Sequence, residues 1–559
     1  MVYREFIEKV KIGLIAASIA ALLISYALKV LKKKSEKNQD AREWLEKTPI
    51  FQIGKYSFNV YQSSVFAFFF LAIVGTFNYA TFSHLTGGTA IDEYDLLHYY
   101  VAPKYFDELG YFNLLPALII ADAETGRRHC GRSTKKYLFQ NENDYEKKPI
   151  SHALAMKDEV KSRFTTQRWS EFVHDTMYLQ RVVKPMHCKL WRQLLLDHGF
   201  NGTPVWVLLA RPVAKLVPVE SIRLVTVLDV LWLIAALMAV SWAFGPRVAA
   251  ITWLFLTISY AVRWPTVGWA MLRYDWSSSI IIGLCMLKKK KHIHSGAFFA
   301  LATLLRYFPG IWLLGIAAKG IHALVTNRDI PWRQAWKRVP MKYWQMAMGF
   351  FGVLAVLLTV SFAADGIDVH KQSLENMTSH VQAHNLSSRR MGLVIAAVYR
   401  GELDTKWITD AKREQVAQLE PRLRLVAIGL IILLGLGMTR LKDWEAVGLG
   451  MIPFFWLTTS SYYYYIVLVS GVIIHAKAIH KPWHLFGILA LFFIQLQMNT
   501  LEHVMPEMRY PNISIACVLI ALYSFIILTI LLNRWWKERN IRIDSGTSSR
   551  ELPTPSEKE

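Results

Sequence analysis

The chain has 559 residues, of which 53% are hydrophobic and 13% aromatic, and its apolar residues are gathered in blocks of membrane-spanning length. That pattern excludes an ordinary soluble protein and defines an integral membrane protein. The net charge is +22, from 64 Lys and Arg against 42 Asp and Glu, but the cations cluster beside the ends of the apolar blocks. Such placement fits membrane lipids with anionic headgroups as partners and no nucleic acid.

The first apolar run, "IGLIAASIAALLISYALKV", passes straight into "LKKKSEK" without a small-residue cleavage site and reads as a retained anchor. Candidate spans lie at 9–30, 59–81, 221–244, 247–264, 270–288, 343–364, 422–439, 443–459, 461–478, 482–499 and 512–533. Each crosses about 30 Å of hydrocarbon only as a helix, because backbone polar groups in lipid must be satisfied within the segment. The expected fold is an all-α polytopic membrane protein with about eleven transmembrane helices. It divides into an N-terminal anchor and basic cytoplasmic linker (1–58), a membrane domain (59–533) and a disordered cytoplasmic tail (534–559).

Basic runs at 32–37, 288–292, 327–338 and 533–539 belong in the cytoplasm, which puts residues 82–220 and 365–421 outside. Residues 293–320 have basic runs on both sides and "LLRYFPG" in their middle, so a re-entrant broken hairpin meeting at Arg306 and Pro309 is predicted instead of a span. The long outer loop carries the amphipathic stretch 152–183, expected as interfacial helices along the membrane, and the Pro-interrupted run 204–220, expected as another short interfacial or re-entrant element. Cys130 and Cys188 share this loop and can pair if it lies outside, whereas Cys285 and Cys517 fall in apolar runs as plain buried thiols. Sequons at Asn201, Asn376, Asn385 and Asn512 all fall on the expected outer side. There is no tandem repeat, Gly-rich phosphate loop, paired-Cys metal motif or G-x-S-x-G.

The chemistry concentrates in "AIDEYDLLHYYVAPKYFDELGY", residues 90–111, directly after the second span. A hydroxyl that attacks a sugar C1 needs a carboxylate within hydrogen-bond reach, and Asp92 and Asp95 sit at the level where a lipid-linked sugar would lie. A phosphate leaving group needs cations rather than an acid. Arg306 supplies one, and Arg389 or Arg390, beside His380, His384 and Asn385, a second group. His98 and Tyr99 are candidate substrate contacts, and the tyrosines of "SSYYYYIV" (460–467) suit either an interfacial belt or sugar stacking. The plainer readings are a helix start for Asp92 and Asp95, packing for His98, a solvated loop for 380–390 and snorkelling for Arg306.

Three stretches carry a family resemblance: "DLLHYYVAPKYFDELGY", "SGAFFALATLLRYFPGIWLLG" and, less specifically, "HVQAHNLSSRRMGL". Over roughly residues 59–480 the chain resembles the GT-C superfamily of membrane glycosyltransferases, most of all family 87, the polyprenyl-phosphate-dependent mannosyltransferase-like group. The resemblance implies a GT-C-like fold and a catalytic Asp in a pattern D-L-x-x-Y followed by Gly-Tyr, which Asp95, Leu96, Tyr99, Gly110 and Tyr111 fit, with Asp92 as second choice. It implies a polyprenyl-phosphate sugar donor, a lipid or glycan acceptor, and a site on the outer face of a bacterial plasma membrane. The extra anchor, the long outer loop and an Arg in place of the usual Lys before the aromatic-Pro depart from the family and leave donor sugar and acceptor open.

The sequence points to no definite cofactor and leaves the need for a metal open. A divalent cation, were one used, would draw on "DAE", Asp122 to Glu124, together with Asp92 or Asp95. The main alternative is a transporter or flippase of a lipid-linked or anionic substrate, which also uses broken helices and intramembrane Arg, but no internal repeat relates two halves. A structural membrane subunit is the other alternative.

Overall fold

A computed structural model describes residues 2–35, 49–53, 56–80, 91–126, 129–130, 135–140, 145–183, 185–262, 270–382 and 385–544. Its long helices are α1 (Val2–Ser35), α2 (Val60–Tyr79), α3 (Ile222–Phe244), α4 (Pro246–Ile258), α5 (Asp275–Lys288), α6 (His292–Arg306), α7 (Leu314–Thr326), α8 (Met341–Val381), α9 (Asp410–Met438), α10 (Pro482–Val504) and α11 (Arg509–Asp544). Among the described residues, strands are confined to three two-stranded antiparallel pairs, and the architecture is that of an all-α protein. Among the described residues, eight helices are long and apolar enough to cross a membrane.

Seven of these eight coincide with expected spans, and the eighth, Phe308–Thr326, is the second half of the segment expected as a broken hairpin. The remaining expected spans are built differently. Residues 247–264 and 270–288 hold the shorter helices α4 and α5, of 13 and 14 residues. Residues 443–459 divide into Asp443–Gly448 and Met451–Leu457, and residues 461–478 begin with a 3-10 turn, Tyr462–Val467, before Leu468–Lys477. Hydropathy sums apolarity over a window and does not register where the helical path breaks.

The break at Arg306 is as the sequence predicts. Tyr307 takes the left-handed φ of 53°, and Pro309 opens the 3-10 turn Phe308–Leu313. Beyond it, Lys319 of α7 reaches Asp443, and so does Lys342 from the first turn of α8. The start of α6 packs on that same part of α8: Gly296 and Gly349 let the backbones touch, and a Cβ on either would strike the carbonyl of Met346 or Ile293. The chain therefore turns back at Tyr307, held by a small-residue contact of the kind that lets helices approach closely in lipid.

Gly366, at φ 75°, divides α8 into an apolar first half and an inside-out second half. Ser373, Asn376 and Ser379 are buried at helical spacing while Ile367, Leu374 and Val381 are exposed. The loop helices show the opposite arrangement, and the expectation that they lie along the membrane needs correcting. Val160, Phe164, Trp169, Phe172 and Leu179 are buried, and Tyr105 packs edge-on against Phe172, 5.2 Å between centroids. Their apolar faces are thus covered by protein. Arg211, on the helix Pro204–Leu216, pairs with Asp107 at 3.0 Å and with Asp365 of α8 at 2.6 Å, which ties the loop to the membrane helices.

A disulfide joins Cys130 and Cys188, and Cys285 and Cys517 are buried thiols. The sequons at Asn376 and Asn512 are buried, with their amides donating to the carbonyls of Phe200 at 2.8 Å and Met498 at 2.9 Å. α11 continues to Asp544, beyond the expected start of the tail, and the rest of the tail lies outside the described residues.

Candidate functional site

Asp92 caps the short helix Glu93–Leu96, its carboxylate accepting from the backbone N–H of Tyr94 at 3.1 Å and Asp95 at 3.2 Å. The helix start and the candidate site are one feature. A π turn over Leu97–Val101 follows, a widening that re-aims side chains relative to a regular helix. Further along the motif, Gly110 adopts a φ of 55° that favours glycine. This turn sends the buried Tyr111 hydroxyl to the Gly202 carbonyl at 2.9 Å, next to Thr203, whose hydroxyl caps the helix that carries Trp206. The Gly-Tyr half of the motif is thus a brace for the site.

Asp95 forms a buried ion pair with Arg273. Arg273 is held by its backbone, since its N–H and that of Tyr274 both donate to Asp229 of α3, at 2.6 and 3.2 Å. Its guanidinium lies between Tyr99 and Tyr463, 5.1 and 5.0 Å from the ring centroids. Arg306 approaches Tyr99 as well: Nη2 donates to the Tyr99 hydroxyl at 3.1 Å, Nη1 to the Leu305 carbonyl at 3.1 Å, and the cation lies 5.6 Å from the Tyr99 centroid and 5.8 Å from that of Trp206. Trp206 is fixed by Nε1 donating to the Leu272 carbonyl at 3.0 Å.

A second, connected group lies toward the 380–390 segment. His98 shares its Nδ1 with the Tyr94 carbonyl at 3.2 Å, and its Nε2 is buried without a hydrogen-bond partner, 3.8 Å from Asp197 Oδ2. Asp197 lies 3.8 Å from His198, whose ring meets His380 at 4.8 Å. Arg390 is buried but committed to backbone, donating to the carbonyls of His380 at 3.0 Å and Thr459 at 3.4 Å. It pairs with Ser461 in a short ladder, and the Tyr462 N–H donates to the Arg389 carbonyl at 2.9 Å. Arg389 is half-buried, and Asn385 donates to the Ser379 carbonyl at 2.8 Å. His384 lies outside the described residues.

Electrostatics separate the two aspartates. Burial, reinforced by the charges of Asp95 and Glu93, pushes the Asp92 carboxyl well above the usual carboxylate range. Burial also raises Asp95, with Arg273 and His98 acting against it. Burial would raise Asp197 too, but the His198 hydrogen bond and the His98 charge hold it below that range.

The structure brings Asp92, Asp95, His98, Tyr99 and Arg306 together, and His380 and Arg390 adjoin them through Asp197 and His198. Sequence reasoning missed Arg273, Trp206, Asp197 and Asp229. Arg273 had a usable signal: it lies in the apolar block 270–288, where the rule applied to Arg306 would have flagged it. The metal reading of Asp122 to Glu124 needs correcting. Asp122 accepts from the His129 N–H and from Arg181 at 3.1 Å, and Glu124 from Lys157, Lys161 and Trp169. Among the described residues, no group of three or more His, Cys, Asp and Glu is placed to hold a metal ion. No protein-family model, curated protein or solved structure matches the chain.

Proposed function

We propose that the protein is a GT-C-type hexosyltransferase that moves a sugar from a polyprenyl-phosphate donor to a lipid or glycan acceptor. The acceptor oxygen attacks C1 as Asp95 takes its proton, and the bond from C1 to the phosphate oxygen breaks with inversion. The departing phosphate needs no proton, and Arg306 with Arg273 receives its charge. Tyr99 and Tyr463, which are partly exposed, offer ring faces for the sugar. The observation that carries this reading is the buried Asp95–Arg273 pair, with Arg306 on the neighbouring Tyr99 ring, where the 91–220 loop meets the membrane helices.

The Cys130–Cys188 disulfide supports a location of that loop in an oxidising compartment, outside a bacterial plasma membrane. The test is transfer of radiolabelled sugar from a panel of polyprenyl-phosphate donors by wild type and by Asp95→Asn and Asp92→Asn, at equal folded expression. Transfer by wild type and loss in Asp95→Asn with donor binding retained is the expected result. Transfer unchanged in both variants would remove the carboxylates from the mechanism, and none by wild type would end the enzyme reading.

A further inference from the structure

Arg273 and Arg306 lie against the same Tyr99 ring, at 5.1 and 5.6 Å, yet they are unequally matched. Arg273 holds the Asp95 carboxylate. Arg306 has only the Tyr99 hydroxyl and the Leu305 carbonyl, and its buried Nε has no partner among the described residues. Asp95 is thus paired with Arg273 directly, whereas Arg306 feels the charge of the buried Asp275, at the start of α5, through space. A buried guanidinium stripped of its counter-ion is strongly unfavourable, so Arg273 needs an anion whether or not a substrate is present.

We propose that Asp95 is the resident occupant of a two-arginine phosphodiester site, and that the arriving phosphodiester displaces it from Arg273 and frees it to face the acceptor hydroxyl. This rests on the phosphate-linked donor of the preceding section. The exchange makes and breaks no covalent bond. A phosphodiester offers two non-bridging oxygens that share one negative charge, enough to engage one N–H from each planar guanidinium, so it satisfies Arg273 as Asp95 did and gives Arg306 an anion in direct hydrogen-bond contact.

The surroundings of Asp95 make the released carboxylate a stronger base. Asp92 and Glu93 precede it on its own helix, His98 lies one turn on, and Asp197 comes from the segment before Thr203. Opposite stand Arg273 and, beyond the Tyr99 ring, Arg306 and Tyr463. Without Arg273 the carboxylate is left buried among acids, a setting that favours proton uptake. Asp95 is therefore idle as an ion-pair partner until a donor occupies the arginines.

The experiment measures binding of isoprenyl methyl phosphate to the full chain in phosphatidylcholine nanodiscs. This phosphodiester carries one negative charge throughout roughly pH 5 to 8. Asp95→Asn is expected to bind it about tenfold more tightly than wild type, because the competing carboxylate is gone. Wild-type affinity should rise as pH falls and Asp95 protonates, and that dependence should vanish in Asp95→Asn. In Asp92→Asn, which lacks the neighbouring raised carboxyl, the dependence should persist, and that assigns it to Asp95 even if Asp95→Asn folds poorly. Equal or weaker binding in a folded Asp95→Asn, or a flat wild-type profile, would overturn the exchange and leave the donor reading standing. Phosphatidylglycerol serves as the second arm: the same gain with it alone would keep the exchange but assign the site to a lipid headgroup and overturn the donor. No binding of either probe by wild type would end both.

Discussion

Asp95 and Asp443 are both acids drawn against cations between helices, and they differ in how completely they are matched. Asp443 starts the helix Asp443–Gly448 and takes Lys319 at 2.8 Å, Lys342, and the Tyr343 hydroxyl at 3.0 Å. That site is closed, since three donors from α7 and α8 converge on one carboxylate. Around Asp95 the account is open: His98 Nε2, Arg306 Nε and Asp229 Oδ2 are all buried without a hydrogen-bond partner. Evolved interiors seldom leave such groups unsatisfied unless a ligand or a reaction uses them. The Asp443 carboxylate fixes helices, although Trp444 Nε1 beside it is also buried without a hydrogen-bond partner; the group around Asp95 differs in holding cations, acids and aromatic rings together.

The sharpest way to break this contrast is to exchange roles. On the proposed reaction, Asp95→Asn should lower sugar transfer per folded molecule on the order of 10²- to 10⁴-fold, the usual worth of a positioned base, and should also lower the unfolding temperature in detergent because Arg273 loses its buried partner. The same assay across pH sharpens the point. Burial raises the Asp95 carboxyl, so the deprotonated base is lost as pH falls through a value above the ordinary carboxylate range, and wild-type transfer should show its acid limb there. Asp443→Ala should affect stability alone. It leaves Lys319, nearly buried, and Lys342, 41% exposed, without their acid. A loss of about 2 to 3 kcal/mol in unfolding free energy is expected, with transfer per folded molecule unchanged.

Glu124 is a third carboxylate of the closed kind, on the long loop between α2 and α3. Its partners Lys157, Lys161 and Trp169 hold its pKa down from 4.5 to about 2 against the opposing effect of burial. A depressed pKa contributes stability that is full above 4.5 and drains away as pH falls toward about 2. After allowance for solvent screening, about 1 to 2 kcal/mol should disappear over that window, and Glu124→Gln should remove the dependence, read by loop proteolysis against pH. The smallest effect tests the open cluster. Arg306→Lys keeps the charge but loses the fork, and should raise the donor KM about tenfold with kcat nearly unchanged. A fall in kcat alone would remove Arg306 from ground-state donor binding.

Much of the site was legible because local rules reach it. Asp92 and Asp95 follow an apolar span, and Arg306 sits before Pro309 in an apolar run, so charge in an apolar setting drew attention to each. Asp197 and Trp206 were invisible, since nothing near them in the chain separates them from ordinary loop residues; only their distance to His98 and Arg306 gives them meaning. Arg390 shows the converse. Its sequence suggests a phosphate ligand, yet its guanidinium is turned to the carbonyls of His380 and Thr459.

The sequence by itself determined that this is an all-α membrane protein, where most of its long helices run, and where the chain breaks at Arg306. Those properties depend on apolar length, charge placement and backbone restriction by proline, all of which act over a few turns. The tertiary structure alone decided that Asp95 meets Arg273 across 178 residues, that the Nε of Arg306 is buried without a hydrogen-bond partner among the described residues, and that the amphipathic loop helices cover one another. Pairings of that kind are fixed by how separate helices pack, and helix packing is set by the shapes of whole faces, which no local stretch of sequence contains.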